Sequence, residues 1–257
     1  MSETVGCFGV EVCLLAVSEL VEEIKRCVEQ RRQLTMTYIN FHTTNAIQSV
    51  QVTSNVFKTF DIVVPDGIAL TWALSVLGKL NTHDNILRHI EPWAPFLYST
   101  AVEQGWGIYL LGGGAGVAAR SAENLKQSFP GIKIVGACQG HFSTGEELQA
   151  VINDINQSGA LILLVGMGQP NQEEWIVANQ HQLDALIIVA VGGYFDKVSQ
   201  MANAYPEWVY RYRLFWLYRL LKEPKRLWKR YTIGIVVFGL RVLRAKLALI
   251  FSHTKRG

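Results

Sequence analysis

Apolar runs of strand length alternate with amphipathic, helix-length segments from residue 18 to residue 191, a pattern that few architectures accommodate. A helix pattern over Ser18–Gln33 precedes a strand at Leu34–Asn40, and Val56–Phe60 leads into the short run Asp61–Val64, which stops at Pro65-Asp66-Gly67. "WGIYLLGGGAG" reads as a strand ending in glycines with a helix from Val117 to Ser128 behind it. "GIKIVGACQG" is a further strand and Glu146–Gln157 a further helix; the strand at 160–165, a helix over Gln172–Gln182 and the strand Ala185–Val191 follow. Strands that are apolar throughout, separated by helices, imply right-handed βαβ units and a parallel sheet buried on both faces. The expected class is α/β: a Rossmann-like, mostly parallel sheet with helices on both faces. Such sheets bind ligands beyond the carboxyl ends of their strands. Here those ends are Asn40, Asp66, Gly112–Gly114, Gly166–Gln172 and Gly192–Asp196.

The character of the chain changes near residue 201. From Arg211 onward there are 13 Lys/Arg and one acid, Glu223, whereas the preceding 210 residues hold 11 basic and 20 acidic side chains. We expect a core domain over 1–200 and a basic, aromatic, helical C-terminal appendage over 201–257. Pro224 should end one helix and open another. The segment "TIGIVVFGLRVLRAKLALIF" carries too many internal charges to span a bilayer and suits an in-plane helix with snorkelling cations. The eight apolar residues Ile233–Leu240 favour an anionic membrane surface over nucleic acid as the partner of this basic tail. Cys7, Cys13, Cys27 and Cys138 form no CxxC pair and read as reduced, packed thiols of a cytoplasmic protein. The N-terminus lacks the pattern of a signal peptide.

The stretch "GMGQPNQEEW", Gly166–Trp175, resembles a dinucleotide loop with a glycine missing. Position 171 is Asn171, and Pro170 removes a backbone donor that a phosphate cradle would use, which argues against a nicotinamide cofactor. Gly166 and Gly168 still allow close approach of a ligand, Gln172 is the residue expected to touch it, and Glu173 is expected to cap a helix. Gly112 and Gly113 open a second helix and suit either a diphosphate or a tight turn. Asp66 and Asp196 have ordinary turn chemistry, yet both stand at the ligand end of the sheet, where a carboxylate can act as a general base. The chain has no DxD, HxxH or GxSxG pattern, and neither a metal site nor a serine or cysteine nucleophile is expected.

Five motifs stand in a telling order: "VVPDGIAL", "YLLGG…GVA…L…FPGIKIVGACQGHF", "LILLVGMGQPNQEEWI", "VAVGGYFD" and "EWVYRYRLFWLYRLLKEPKRLWKRY". Through them the chain resembles the WecG/TagA/CpsF family of bacterial glycosyltransferases over about residues 5–231. The resemblance implies a metal-independent, inverting enzyme with no cofactor. It would move a sugar (N-acetylmannosamine, its uronic acid, glucuronic acid or a related hexose) from a UDP donor to a polyprenyl-diphosphate-linked sugar at the cytoplasmic membrane face, in exopolysaccharide or teichoic-acid-type synthesis. It also implies that Asp66 is the base, that Asn40, Gln172 and Asp196 line the pocket, and that Arg219, Arg226 and Arg230 of the tail meet the diphosphate. Several positions depart from the family pattern. Tyr38 replaces a threonine; in "RHIEPW", Arg88 is kept while Glu91 and Trp93 replace glycine and aspartate. Asn203 stands in place of an arginine and Phe215 in place of an acid. These changes leave donor and acceptor identity, and homo-oligomerisation, open. The alternatives are a non-catalytic nucleotide-sugar-binding protein of this fold and, less favoured, a nicotinamide-dependent Rossmann enzyme.

Overall fold

The computed structural model describes residues 3–49, 54–80, 86–87, 90–142, 144–200, 209, 211, 215–222 and 224–254; the side chains of 91, 215, 216, 219, 226, 230 and 252–254 lie outside the description. An antiparallel hairpin, β1 (Glu3–Cys7) and β2 (Val10–Leu14), opens the chain. There follow α1 (Val17–Glu29), β3 (Leu34–Ile39), α2 (Phe41–Gln48), α3 (Ser54–Lys58), β4 (Ile62–Pro65), α4 (Ile68–Val76) and α5 (Ile90–Gln104). The second half continues with β5 (Gly107–Gly112), α6 (Val117–Ser128), β6 (Lys133–Cys138), α7 (Gly145–Gln157), β7 (Ile162–Gly166), α8 (Asn171–Asn179), β8 (Ile187–Ala190) and α9 (Tyr194–Val198). Described helices of the tail are α10 (Phe215–Lys222), α11 (Pro224–Tyr231) and α12 (Ile233–Thr254).

Six strands form one parallel sheet in the order β4-β3-β8-β7-β5-β6. All residues of β5 and β7 are buried, as expected of central strands covered on both faces. Alternate residues face opposite layers. Ile108, Leu110, Ile162 and Leu164 pack toward α1, α5, α6 and α9, whereas Leu111, Leu163 and Val165 pack toward α3, α4, α7, α8 and α12. α6 shows why its sequence is helical: Ala118, Ser121, Ala122 and Leu125 recur at three- and four-residue spacing and make its buried stripe.

The expected class therefore stands, with local corrections. The N-terminal hairpin was not anticipated. α1 stops at Glu29 rather than Gln33, because Arg31 takes a left-handed φ of 51° and Arg32 N–H donates to Cys27 O (2.9 Å). α5 was hidden by Pro92 and Pro95 in its first turns; Trp93, Leu97, Tyr98 and Ala101 nevertheless supply a buried face. The helix expected over Gln172–Gln182 is α8 followed by a 3-10 turn at Gln180–Gln182. Pro224 does begin a helix, and the four cysteines are free, three of them buried.

The tail is less detached than its composition suggests. Phe238 and Val242 of α12 are buried against the core, with Phe8 and Phe41 beside Phe238. Asn45 Nδ2 donates to Gly234 O (2.7 Å), and Arg241 donates to Asn45 O and Ser49 Oγ (both 2.9 Å), satisfying the carboxyl end of α2. On the opposite side of α12, Ile233, Val236, Leu240, Leu243, Leu247 and Ile250 recur at alternating spacings of three and four and are all exposed. Among the described residues no helix is long and apolar enough to cross a membrane.

Candidate active site

Sheet order creates the crevice. After β5 the chain moves outward to β6 on one side, and after β7 it moves to β8 on the other, so α6 and α8 leave from neighbouring strand ends toward opposite faces. That divergence between β5 and β7 is a topological switch point, where parallel α/β sheets leave room for a ligand. Its floor is glycine. Gly113 N–H donates to Gly166 O (2.9 Å), and a side chain at Gly112 would overlap the Gly166 carbonyl. A β-carbon at Gly140, from the loop after β6, would lie 2.8 Å from Met167 Cγ and 3.0 Å from Gly112 Cα. Gly112, at φ 150° and packed against backbone, should tolerate nothing larger. Gly112→Ala is expected to cost on the order of 3 kcal/mol in denaturant unfolding; an unchanged midpoint would show that β5 and β7 can separate there.

Behind this floor lies a buried polar hub. Glu173, fully buried in the first turn of α8, accepts from Thr37 Oγ1 (2.7 Å), Gln172 Nε2 (2.8 Å) and Gln169 Nε2 (3.1 Å), all at Oε1. Its Oε2 is buried with no hydrogen-bond partner. Burial pushes the Glu173 carboxyl above its ordinary value of 4.5, and the donors from Gln172, Thr37 and Gln169 pull it partly back. Gln172 is also wholly buried, and its Oε1 accepts from Gly192 N–H (2.9 Å). Gln169 donates to Tyr38 O (2.5 Å) and accepts from Thr43 Oγ1 (2.5 Å) and Asn40 Nδ2 (3.3 Å). One cluster thus ties the ends of β3, β7 and β8 and the start of α2 into a single wall.

Asn40 stands at the end of β3 as the N-cap of α2, its Oδ1 accepting from His42 N–H (3.0 Å) and Thr43 N–H (3.1 Å). Asp66 is on the adjacent strand end: Ile39 pairs with Pro65, and Asp66 N–H donates to Ile39 O (2.7 Å). Asp66 is half-buried and precedes Gly67, whose φ of 84° suits glycine. With strands spaced about 4.8 Å apart, the line of strand ends from Asp66 past Asn40 to the Gly112 floor runs roughly 19 Å, enough for an extended ligand rather than a small one.

The expected residues are accordingly sorted. Asn40, Asp66, Gly112, Gly113, Gly166, Gly168 and Gln172 come to one edge of the sheet. Gln172 braces the wall from behind, because both ends of its amide are bonded inside the protein. Glu173 is the centre of the hub rather than a simple helix cap. Asp196 is exposed on α9, next to the buried Phe195 that packs near Gly166. Arg219 lies in α10, and Arg226 and Arg230 in α11, with side chains outside the described residues. Arg88 and Asn203 also lie outside the described residues. Of the departures, Trp93 is a core residue of α5, and the Tyr38 hydroxyl reaches Gly192, where a side chain would collide with it. Sequence reasoning did not single out Thr37, Thr43 or Gln169; the regular alternation of β3 and the middle of "GMGQPNQEEW" were the only signals. Among the described residues no three His, Cys, Asp or Glu side chains group as a metal site would.

Comparison with known proteins adds the chemistry. The family described as "Glycosyl transferase WecG/TagA/CpsF family" matches residues 5–250. A protein of Bacillus spizizenii named N-acetylglucosaminyldiphosphoundecaprenol N-acetyl-beta-D-mannosaminyltransferase is 30% identical over 200 residues, 77% of this chain and 74% of its own. A Bacillus subtilis protein of the same name is 27% identical over 74% of this chain and 71% of its own. A Shigella boydii protein named UDP-Gal:alpha-D-GlcNAc-diphosphoundecaprenol beta-1,4-galactosyltransferase is 26% identical over 90% of this chain and 95% of its own.

Proposed function

The chain belongs to the WecG/TagA/CpsF family of glycosyl transferases and is a glycosyltransferase; from that premise we propose that it moves a hexose from a UDP-sugar onto a GlcNAc-type sugar carried on a polyprenyl diphosphate. Support for the acceptor comes from the relatives in Bacillus and Shigella, whose names specify a diphosphoundecaprenol-linked GlcNAc. The observation that carries the reading is the placement of one half-buried carboxylate, Asp66, on the same strand-end row as the glycine-floored switch point.

In the proposed reaction the Asp66 carboxylate takes the proton of the acceptor hydroxyl. The hydroxyl oxygen attacks the anomeric carbon from the face opposite the leaving group, and the bond from that carbon to the diphosphate oxygen breaks. UDP departs with the electron pair, and the sugar is inverted. Charge building on the diphosphate needs fixed cations; the arginines of α10 and α11, Arg219, Arg226 and Arg230, are proposed to supply them bidentately. No divalent metal enters this scheme. The glycine floor would admit the diphosphate closely, and the Asn40–Gln169–Glu173 wall would hold the sugar side rigid. The outer stripe of α12, flanked by Arg244 and Lys246 and by no acid, is proposed to lie on the anionic membrane that carries the acceptor.

The test is a panel of UDP-sugars offered with a short-chain polyprenyl-diphosphate-GlcNAc acceptor, with and without chelator. Transfer from one UDP-sugar that persists in chelator is expected. Transfer only with added Mn²⁺ removes the metal-free scheme, and NAD binding in place of UDP removes the reading altogether. Arg226→Ala is expected to lower kcat by about 10²-fold while changing UDP affinity little, since an interaction with developing charge shows in turnover. An equal loss in UDP affinity and in kcat/KM would make that arginine a ground-state binder instead.

A further inference from the structure

The catalytic domain carries an exposed apolar pair that neither its core nor the tail uses. Ile68 and Trp72 stand one helical turn apart on α4, and are 75% and 54% exposed. Ile68 is the most exposed large apolar side chain among the described residues. The opposite side of α4 is fully committed: Leu70, Ala73 and Leu74 are buried in the layer that also holds Phe238 of α12. α4 therefore packs inward on one side and presents an isoleucine and a tryptophan outward on the other. It begins two residues after Asp66, and the space over Gly67 is open, with nothing near where a side chain would be.

What covers such a pair is decided by its surroundings. α4 packs beside α12, whose outward stripe is aliphatic along its length. The segments of α4, α10, α11 and α12 contain no Asp or Glu, although the first 210 residues of the chain are rich in acids. Lys222 is exposed on α10, Lys225 and Lys229 on α11, and Arg244 on α12. An apolar surface on helices that carry cations and no acid complements an anionic lipid leaflet, and it opposes a second copy of itself through like-charge repulsion. Tryptophan is the side chain best suited to the boundary between headgroups and hydrocarbon. We propose that Ile68 and Trp72 are a lipid wedge of the catalytic domain, seating the first turn of α4 in an anionic bilayer and so holding Asp66 at the membrane surface. The wedge is distinct from the tail helix. Its purpose rests on the proposed lipid-linked acceptor: a base at the bilayer surface meets a sugar whose diphosphate is anchored there.

The experiment uses the full chain and its Ile68→Ser/Trp72→Ser and Trp72→Phe variants. Co-sedimentation with vesicles containing phosphatidylglycerol, and with pure phosphatidylcholine, is compared with transfer to a short-chain, water-soluble acceptor and to a long-chain acceptor in the vesicles. The double variant should lose roughly tenfold in partition onto anionic vesicles and lose turnover on the vesicle-borne acceptor. Its melting temperature and its rate on the soluble acceptor should match the wild type. Trp72→Phe, still apolar, should bind nearly as the wild type does. Unchanged partition of the double variant overturns the wedge. So does an equal loss on the soluble acceptor, which would place the pair in the reaction site, and so does a wild-type dimer that the double variant dissociates while vesicle binding stays intact. If partition falls as expected but no polyprenyl acceptor is ever glycosylated, the wedge stands and the proposed reaction falls.

Discussion

Asp66→Asn is expected to lower kcat by about 10²–10⁴-fold, the usual contribution of a positioned general base. The amide keeps the size and the strand-end position of the carboxyl, and the backbone bond from position 66 to Ile39 O is untouched. Only the ability to take a proton is removed. UDP-sugar affinity should therefore change little, because binding the donor does not involve that proton. Steady-state kinetics with calorimetry of UDP binding separates the two effects. A variant that transfers sugar at the wild-type rate would show that another group, or solvent, accepts the proton. A variant that loses donor affinity in step with kcat would make Asp66 a ligand-binding group.

The second large effect is expected away from the reacting atoms. Glu173→Ala leaves the donors of Thr37, Gln169 and Gln172 facing an empty, buried space. Unsatisfied buried donors and the cavity should together cost about 4 kcal/mol, lowering Tm by on the order of 10 °C for a chain of this size. Because the hub ties Tyr38 O, Asn40 and Gly192 to one wall, activity should fall with it. Glu173→Gln preserves the acceptor oxygen and should recover most of the stability. Its pH dependence carries a sign. Burial raises the folded carboxyl above 4.5, so the folded chain binds the proton more tightly than the unfolded chain. The contribution of Glu173 is thus fully present below the unfolded value and is lost as pH rises through the folded one. Glutamine has no proton to lose, so the wild type should decline relative to Glu173→Gln as pH climbs above 4.5. Thermal melts of both across that window check it; a gap that stays constant, or that grows toward acid, would mean that the folded value is not raised.

Much of the site could be read from the chain because strand ends are marked locally. Each apolar run stops at residues that cannot continue a buried strand, as at Pro65-Asp66-Gly67 and Gly166-Met167-Gly168. Parallel topology then places all such ends on one edge, so Asn40, Asp66, Gly112 and Gly166 were recoverable without coordinates. What stayed hidden depended on pairing between distant segments. Thr37 and Glu173 are 136 residues apart, and nothing in the identity of either announces that they bond. Gln172 read as a ligand contact from its place at a helix N-terminus behind Gly166 and Gly168 and from the family resemblance; in the structure its amide is bonded inward, to Glu173 and Gly192 N–H. α5 was masked because proline is a local signal against helix, and the burial of Trp93 and Leu97 overrode it.

The tail shows the same division. Its segregated charge and its apolar run are compositional, and the expectation of a basic, apolar helix followed from them directly. That one side of α12 would be taken by Phe8, Phe41 and Asn45 could not follow, since the hairpin and α2 present those partners from the other end of the chain. Removing the helix to test membrane binding would therefore uncover core as well, and substitutions in the outer stripe are the cleaner probe. By itself the sequence determined the fold class, the edge on which the strand ends gather and the basic, apolar character of the tail, because periodicity, chain breakers and charge act over a few residues. Only the tertiary structure decided which polar side chains face a ligand and which brace the wall behind it, and that α4 and α12 each bury one side and leave the other bare. Those outcomes depend on which segments meet in space, and burial there sets the cost of every unpaired polar group.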